Sequence, residues 1–170
     1  LYAFDVSATR LARLKPRLSR SRLSNVHPQV IRNENDLRVK RLAGKVDRVL
    51  VDAPCSGLGT LRRNPDLKWR QTPQSVAELL QKQASIVRAA ARLVKPGGRL
   101  VYATCSILRA ENEGIVSQFL EEHVDFRPAA CDALLAHQRI ALDTGMFLQL
   151  RPHAHATDGF FAAVLERTAK

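Results

Sequence analysis

One segment, residues 47–57, constrains the fold of this chain more than any other, because it combines a buried strand with an abrupt stop. Residues 49–51 form an apolar run that is too short for a helix and rich in β-branched side chains. Pro54 follows closely, and because it lacks a backbone N–H it cannot continue the pairing of a strand. In an open parallel sheet, ligands bind beyond the carboxyl ends of the strands. The carboxylate of Asp52 and the thiol of Cys55 are therefore predicted to face a ligand-binding crevice.

A second segment, residues 99–106, repeats this design as an apolar strand that ends in Cys105 and Ser106. Two strands that end at the same edge of one sheet would bring the thiol of Cys105 close to that of Cys55. The ordinary alternative is a pair of small buried cysteines without a chemical role. The position of both cysteines at strand ends, with Asp-Ala-Pro before the first, favours a functional pair.

The rest of the chain alternates strands with helices, a pattern typical of an α/β sheet. The predicted strands cover residues 1–5, 26–32, 47–52 and 99–105, with a closing antiparallel pair at 146–150 and 160–165. The predicted helices cover residues 8–23 with a break at Pro16, 73–94 with Thr72 as N-cap, and 110–122. In the basic loop after the first cysteine, Trp69 is expected to be packed.

These motifs resemble those of the RNA cytosine-5 methyltransferases of the Sun/Fmu family. The two-cysteine signature is the most specific of them, since DNA cytosine methyltransferases have a Pro-Cys nucleophile without the Thr-Cys partner. The matching segments follow the family's order over nearly the whole chain, at residues 52–57, 63–69, 104–106, 111–113 and 158–161.

The resemblance implies a Rossmann-like fold that uses S-adenosylmethionine, with a doubly wound, mostly parallel sheet and an antiparallel C-terminal strand. Residues 1–170 are then one partial catalytic domain that starts near the second strand, with the first strand and its Gly-rich loop missing. Since that loop holds the methionine and ribose parts of the cofactor in this class, we expect this chain by itself to bind the cofactor weakly or not at all.

The resemblance also implies a role for each acid and thiol of the two strand ends. Cys105 is the expected nucleophile toward carbon-6 of cytosine, and Cys55 is expected to assist release of the methylated base. From the residues alone, the Pro-Cys context would favour Cys55 as the nucleophile. Asp52 is expected to bind the cytosine edge and to contact the cofactor.

Two further acids are expected at the cofactor. Asp5 ends the first predicted strand, where an acid bonds the ribose hydroxyls in nucleotide-binding α/β folds. A helix cap shared with Ser7 is the alternative for Asp5. The family places an acid at the adenine, and Glu34 fits that position best, with Asn33 aligned nearly as well.

The charge of the chain points to a polyanionic partner. The chain has 27 Lys and Arg against 16 Asp and Glu, and the excess lies in residues 1–100. RNA is the simplest such partner, and the family resemblance implies ribosomal RNA first and transfer RNA second. Arg62, Arg63 and Lys68 are expected to bind phosphates. The alternative is a solvated basic surface that only keeps the protein in solution.

Other functions receive less support. A non-catalytic RNA-binding domain with the same fold is the alternative function, and a thiol-redox protein would be expected to carry a Cys-x-x-Cys motif.

Three cysteines without a disulfide framework indicate a reducing, cytoplasmic location, and Cys131 is expected to be structural. No metal and no membrane segment are expected, since only His153 and His155 have ligand spacing and no apolar run is long enough.

Overall fold

The computed structural model describes residues 1–169, which form two compact units, one of residues 1–42 and one that begins at Ala43. The first unit contains a parallel pair of strands, as predicted. Its helical segment is interrupted before Pro16, which lies in the first turn of the second helix. The elements of this unit are β1 (Tyr2–Asp5), α1 (Ala8–Ala12), α2 (Lys15–Ser21), β2 (His27–Val30) and α3 (Leu37–Lys40).

The second unit contains a five-stranded mixed sheet. Its strands are β3 (Val46–Asp52), β4 (Val94–Thr104), β5 (Phe126–Ala129), β6 (Leu148–Leu150) and β7 (Phe160–Arg167). Its helices are α4 (Leu67–Arg70), α5 (Pro73–Ala91), α6 (Ile115–Glu122), α7 (Cys131–His137) and α8 (Pro152–His155). A 3₁₀ turn (Leu58–Thr60) follows β3, and a π-helical turn (Ala110–Gly114) begins α6.

In this sheet β7 runs against the direction of its neighbours. β3 pairs in parallel with β4, and β4 pairs antiparallel with β7. β5 and β6 both pair antiparallel with β7, and they share its second edge because β4 occupies the first. The predicted α/β fold with an antiparallel C-terminal strand is therefore confirmed, but this sheet is mixed and not mostly parallel, because β7 takes part in three of its four pairings.

The core of the second unit lies between this sheet and helices α5 and α6. Helix α5 begins at the predicted cap, where the Thr72 side chain accepts a hydrogen bond from the backbone of Ser75 and the Ser75 hydroxyl accepts one in return. The buried side chains of the two helices include Val87, Ala90, Val116 and Phe119, and those of the sheet include Leu100, Tyr102, Phe161 and Leu165. This packing holds the ends of β3 and β4 in a fixed register.

The structure corrects two local predictions. Trp69 is 78% exposed, not packed, because the one-turn helix α4 presents it to solvent, where the Lys68 amine lies 4.5 Å from its ring centroid. The helix expected to reach Val94 ends at Ala91, since buried Val94 already begins β4 and pairs with Val46. Among residues 1–169, no helix combines the length and the apolar composition needed to cross a membrane.

Candidate active site

Two thiols meet where strands β3 and β4 end. Asp52 pairs with Ala103, so Cys55 and Cys105 follow neighbouring strands at nearly the same level. Their Sγ atoms are 3.5 Å apart, and both side chains are half-buried. The expected juxtaposition of the two thiols is therefore present in the structure.

The two thiols differ in acidity. The hydrogen bond with Cys55 lowers the pKa of Cys105 to about 7, although burial and the negative charges of Asp52 and Glu111 act in the opposite direction. The same hydrogen bond, together with burial, strongly raises the pKa of Cys55. Near neutral pH the arrangement therefore favours a thiolate on Cys105 and a protonated thiol on Cys55, and the thiolate is the nucleophilic form.

A buried carboxylate connects the two turns that follow the cysteines. Glu111 is fully buried and accepts hydrogen bonds from the Ser56 backbone N at 2.8 Å and from the Ser56 hydroxyl at 2.6 Å. The Ser106 hydroxyl donates to the same carboxylate at 2.5 Å, and the Gln83 amide donates at 2.9 Å. From the sequence, Glu111 was identified only as part of the matching segment 111–113. The available signal for its role was an acid at the start of the helix predicted at residues 110–122.

Asn112, the next residue along the chain, holds the turn around Cys105 from the other side. Asn112 accepts a hydrogen bond from the Thr104 hydroxyl at 2.6 Å and donates one to the backbone oxygen of Ser106 at 3.0 Å. The buried Tyr102 hydroxyl donates to the backbone oxygen of Glu111 at 2.7 Å. The turn around Cys105 is thus fixed by hydrogen bonds on both sides of the cysteine.

Two glycines pack against the Cys105 turn. The backbone N of Gly59 donates to the Cys105 oxygen at 2.9 Å, and the backbone N of Gly159 donates to the Gly59 oxygen at 2.7 Å. A Cβ atom on Gly59 would lie 2.3 Å from the Gly159 oxygen and 2.7 Å from the Cys105 oxygen. Only glycine fits at Gly59, and this close approach brings the matching segment 158–161 next to the thiols.

The basic residues expected at RNA lie beside this segment. The Nε atom of Arg63 is 3.0 Å from the Asp158 carboxylate, and that of Arg62 is 3.8 Å away. Both arginine side chains are more than half exposed, and the amine of Lys68 lies over the Trp69 ring. The guanidinium groups can therefore still reach a phosphate, but Asp158 offsets part of their charge.

In the first unit, Asp5 is an ionised acid held by its neighbours. Arg10 donates to both carboxylate oxygens, at 2.7 and 2.8 Å, and the Ser7 backbone N donates at 2.7 Å. The hydrogen bond from Arg10 is the main cause of the lowered pKa of Asp5. Three of the four hydrogen bonds to this carboxylate reach Oδ1 and one reaches Oδ2, so within its about four acceptor sites Oδ2 is the atom with room for a ribose hydroxyl while Asp5 supports the turn into α1.

The same unit has a cavity of about 510 Å³, lined by residues that include Asn33 and Asp36. Asn33 uses its side-chain oxygen to accept a hydrogen bond from the Asn35 backbone. Glu34 lies between them in the loop that follows β2. Within residues 1–169, no group of three or more His, Cys, Asp or Glu side chains could hold a metal ion.

Comparison with known proteins supports the family resemblance of the sequence motifs. The family model of the 16S rRNA methyltransferases RsmB/F matches residues 1–166. A probable ribosomal RNA small subunit methyltransferase B from Synechocystis sp. is 42% identical over 98% of this chain, and the namesake from Bacillus subtilis is 44% identical over 71%. The chain spans 37% and 27% of the lengths of these two relatives.

Solved structures agree with the sequence relatives. A crystal structure of PH0851 superposes with a TM-score of 0.86 at 38% identity, over 98% of this chain and 36% of that one. The structure of NSun6 from Pyrococcus horikoshii with SFG superposes with a TM-score of 0.80 at 26% identity, over 99% of this chain and 41% of that one.

Proposed function

This chain belongs to the family of 16S rRNA methyltransferases RsmB/F, and we propose that its protein methylates carbon-5 of a cytosine in RNA with S-adenosylmethionine. The proposed substrate is a cytoplasmic ribosomal RNA, with transfer RNA as the second candidate. The observation that carries the proposal is the pair of thiols 3.5 Å apart, of which Cys105 has a pKa of about 7. A Cys105 thiolate beside a protonated Cys55 suits covalent catalysis on a pyrimidine ring.

The proposed reaction starts with the thiolate of Cys105. Carbon-5 of cytosine is a weak nucleophile, and attack of the thiolate on carbon-6 moves an electron pair to carbon-5. The target base must leave its stack to reach the thiol. Asp52 is proposed to hold the amine edge of the ring while this adduct forms. Bound S-adenosylmethionine supplies the methyl group that carbon-5 accepts.

Release of the product requires the bond between carbon-6 and Cys105 to break. Carbon-5 gives its proton to solvent water, the electron pair of the broken C–H bond restores the ring double bond, and the sulfur leaves carbon-6 as a thiolate. Cys55 is protonated near neutral pH and lies at hydrogen-bond distance from this sulfur. We therefore assign Cys55 to the stabilisation of the departing thiolate.

Three positions are proposed to contact the cofactor. Asp5 would bond the ribose through Oδ2, which accepts fewer hydrogen bonds than Oδ1. Either Glu34 or Asn33 would contact the adenine, and the position of Asn33 on the cavity of the first unit supports Asn33. Asp52 would serve both the cytosine and the cofactor. Phosphates of the RNA are assigned to Arg62, Arg63 and Lys68.

Two cysteine variants test the proposal. With RNA and S-adenosylmethionine, Cys55→Ala should accumulate a covalent protein–RNA adduct, because attack by Cys105 continues while elimination is slowed. Cys105→Ala should give neither adduct nor methylation. Denaturing gels measure the adduct, and Cys131→Ala, which removes a buried thiol at the start of helix α7, serves as the matched control and should behave as the unchanged protein.

Three outcomes would contradict the proposal in different ways. Adducts in Cys105→Ala alone would make Cys55 the nucleophile. Intact methylation in both variants would exclude the covalent mechanism, and RNA binding without methylation in the unchanged whole protein would favour the non-catalytic alternative.

A further inference from the structure

Glu111 is a buried acid whose position has no explanation in the chemistry proposed above. It is 0% exposed, and the four hydrogen bonds to its carboxylate come from neutral donors on Ser56, Ser106 and Gln83. A buried carboxylate costs free energy unless its surroundings solvate it. An apolar side chain could fill the same space if packing were the only requirement. The partners of the Glu111 carboxylate therefore indicate what the acid does.

The donors are the residues that adjoin the two thiols. Ser56 directly follows Cys55, and Ser106 directly follows Cys105. The Gln83 amide donates both to Glu111 and to the backbone oxygen of Pro54, each at 2.9 Å, and Pro54 directly precedes Cys55. One carboxylate therefore connects the two cysteine turns to each other and to helix α5.

The backbone around Glu111 is also specialised. It lies in a π-helical turn, in which the Gly114 N donates to the Arg109 oxygen at 2.9 Å, and the Tyr102 hydroxyl holds its backbone oxygen. Single π-turns within helices occur frequently at functional sites. The wider turn places the acid over the sheet edge at which the thiols lie.

We propose that Glu111 is a positioning residue that fixes the separation of the Cys55 and Cys105 thiols by bonding both serines that follow them. It does not touch the reacting sulfurs, and it acts through Ser56 and Ser106. The effect on thiol geometry stands on the hydrogen bonds alone, whereas the effect on methyl transfer rests on the proposed function.

The proposal makes a prediction of sign, because Glu111 acts on Cys105 in two opposing ways. Its negative charge raises the pKa of Cys105, so removal of the charge alone would lower that pKa. If Glu111 also keeps Cys55 at hydrogen-bond distance, its loss removes the largest cause of the lowered pKa. If Glu111 acts by positioning, its removal should raise the pKa of Cys105, and if it acts by charge alone, its removal should lower that pKa.

Glu111→Gln measures this sign without any cofactor or RNA. The pH dependence of iodoacetamide alkylation, followed for each cysteine peptide by mass spectrometry, gives the pKa of Cys105. We expect it to move upward from about 7 toward 9.0. A shift of one unit would slow alkylation at pH 7 by about fivefold. An unchanged or lower pKa in folded Glu111→Gln would overturn the proposal.

Two further variants serve as controls for the Glu111→Gln measurement. Glu113→Gln removes an acid of the same turn that bonds Gln149, not the serines, and should leave the pKa of Cys105 unchanged. Ser106→Ala removes one of the bonds to the carboxylate and retains its charge, so it should also raise the pKa. If Glu111→Gln fails to fold, an unchanged pKa in Ser106→Ala overturns the proposal.

A double variant separates positioning from charge. In a Cys55→Ala background no thiol donor remains to be positioned, so adding Glu111→Gln should lower the pKa of Cys105 through the charge effect alone. An upward shift in this background would contradict the proposal. If the pKa shifts follow the prediction while the unchanged whole protein lacks methylation, positioning stands and the proposed function fails.

Discussion

At the scale of single residues, the two thiols are distinguished by their pKa values. Cys105 has a pKa lowered to about 7, and the pKa of Cys55 is raised. The thiolate is the deprotonated form, so alkylation of Cys105 should increase as the pH rises through about 7 and then level off. Cys55 and Cys131, whose pKa values are raised, should react only at higher pH.

Peptide-resolved alkylation between pH 5 and about 10 measures this order. The Cys55→Ala variant is the informative control, because Cys105 loses its hydrogen-bond donor and its profile should move to higher pH. Faster alkylation of Cys55 than of Cys105 at neutral pH would reverse our assignment of the nucleophile.

Gly59 is a second residue whose role depends on close contact. A Cβ atom there meets the backbone oxygens of Gly159 and Cys105, which cannot rotate away as a side chain can. Gly59→Ala should therefore lower the free energy of unfolding by about 1–3 kcal/mol and slow the alkylation of Cys105. Urea unfolding measures the first effect.

Gly114→Ala is the matched control for this substitution. Its Cβ would meet nothing closer than the Arg109 oxygen at 3.3 Å, and alanine favours a helical position by up to about 1 kcal/mol. Equal losses of stability in the two variants would show that the contact of Gly59 with the Cys105 turn has no particular importance.

At the scale of elements, helix α5 depends on its first turn. Thr72 and Ser75 form a reciprocal cap at the start of a helix that packs against the cysteine strands. Thr72→Ala should cost about 1 kcal/mol in the free energy of unfolding, and Thr72→Ser should be nearly neutral, because a hydroxyl remains. Urea unfolding of both variants measures this, and equal costs would exclude the cap as the cause.

The elements also show which features a sequence can predict. The start of α5 was predictable because Thr72 is a favoured N-cap residue and Pro73 is favoured in the first helical turn. Its end was not, because the chain enters β4 at Val94 through pairing with Val46, a contact distant in sequence. The π-helical turn at Glu111 has no local signature either, since it depends on the serines of two different strand ends.

At the scale of the whole molecule, the fold class and the thiol pair followed from strand ends and motif order, and both are present in the structure. The exposure of Trp69 did not follow, because an aromatic side chain in a loop is packed only if another element covers it. The pairing of Arg62 and Arg63 with Asp158 was also hidden, because the three residues meet only after β7 joins the sheet.

The pairing of Arg62 and Arg63 with Asp158 allows a test of whether these charges contribute to RNA binding. If Arg62 and Arg63 bind phosphates, replacing one by alanine should weaken binding about equally for all RNA sequences. The slope of log affinity against log salt should become shallower by about one for each arginine that no longer binds a phosphate. Asp158→Asn should do the opposite, because it frees both guanidinium groups from a neighbouring negative charge.

Filter-binding titrations of the whole protein at several salt concentrations measure these slopes. Arg88→Ala is the matched control, since Arg88 lies on helix α5 and pairs with Glu122, so its loss should leave the slope unchanged. An unchanged slope in the Arg62→Ala, Arg63→Ala double variant would remove both arginines from the RNA interface. A shallower slope in Asp158→Asn would show that the acid organises the arginines for binding, because free guanidinium groups would then bind phosphate less well than paired ones.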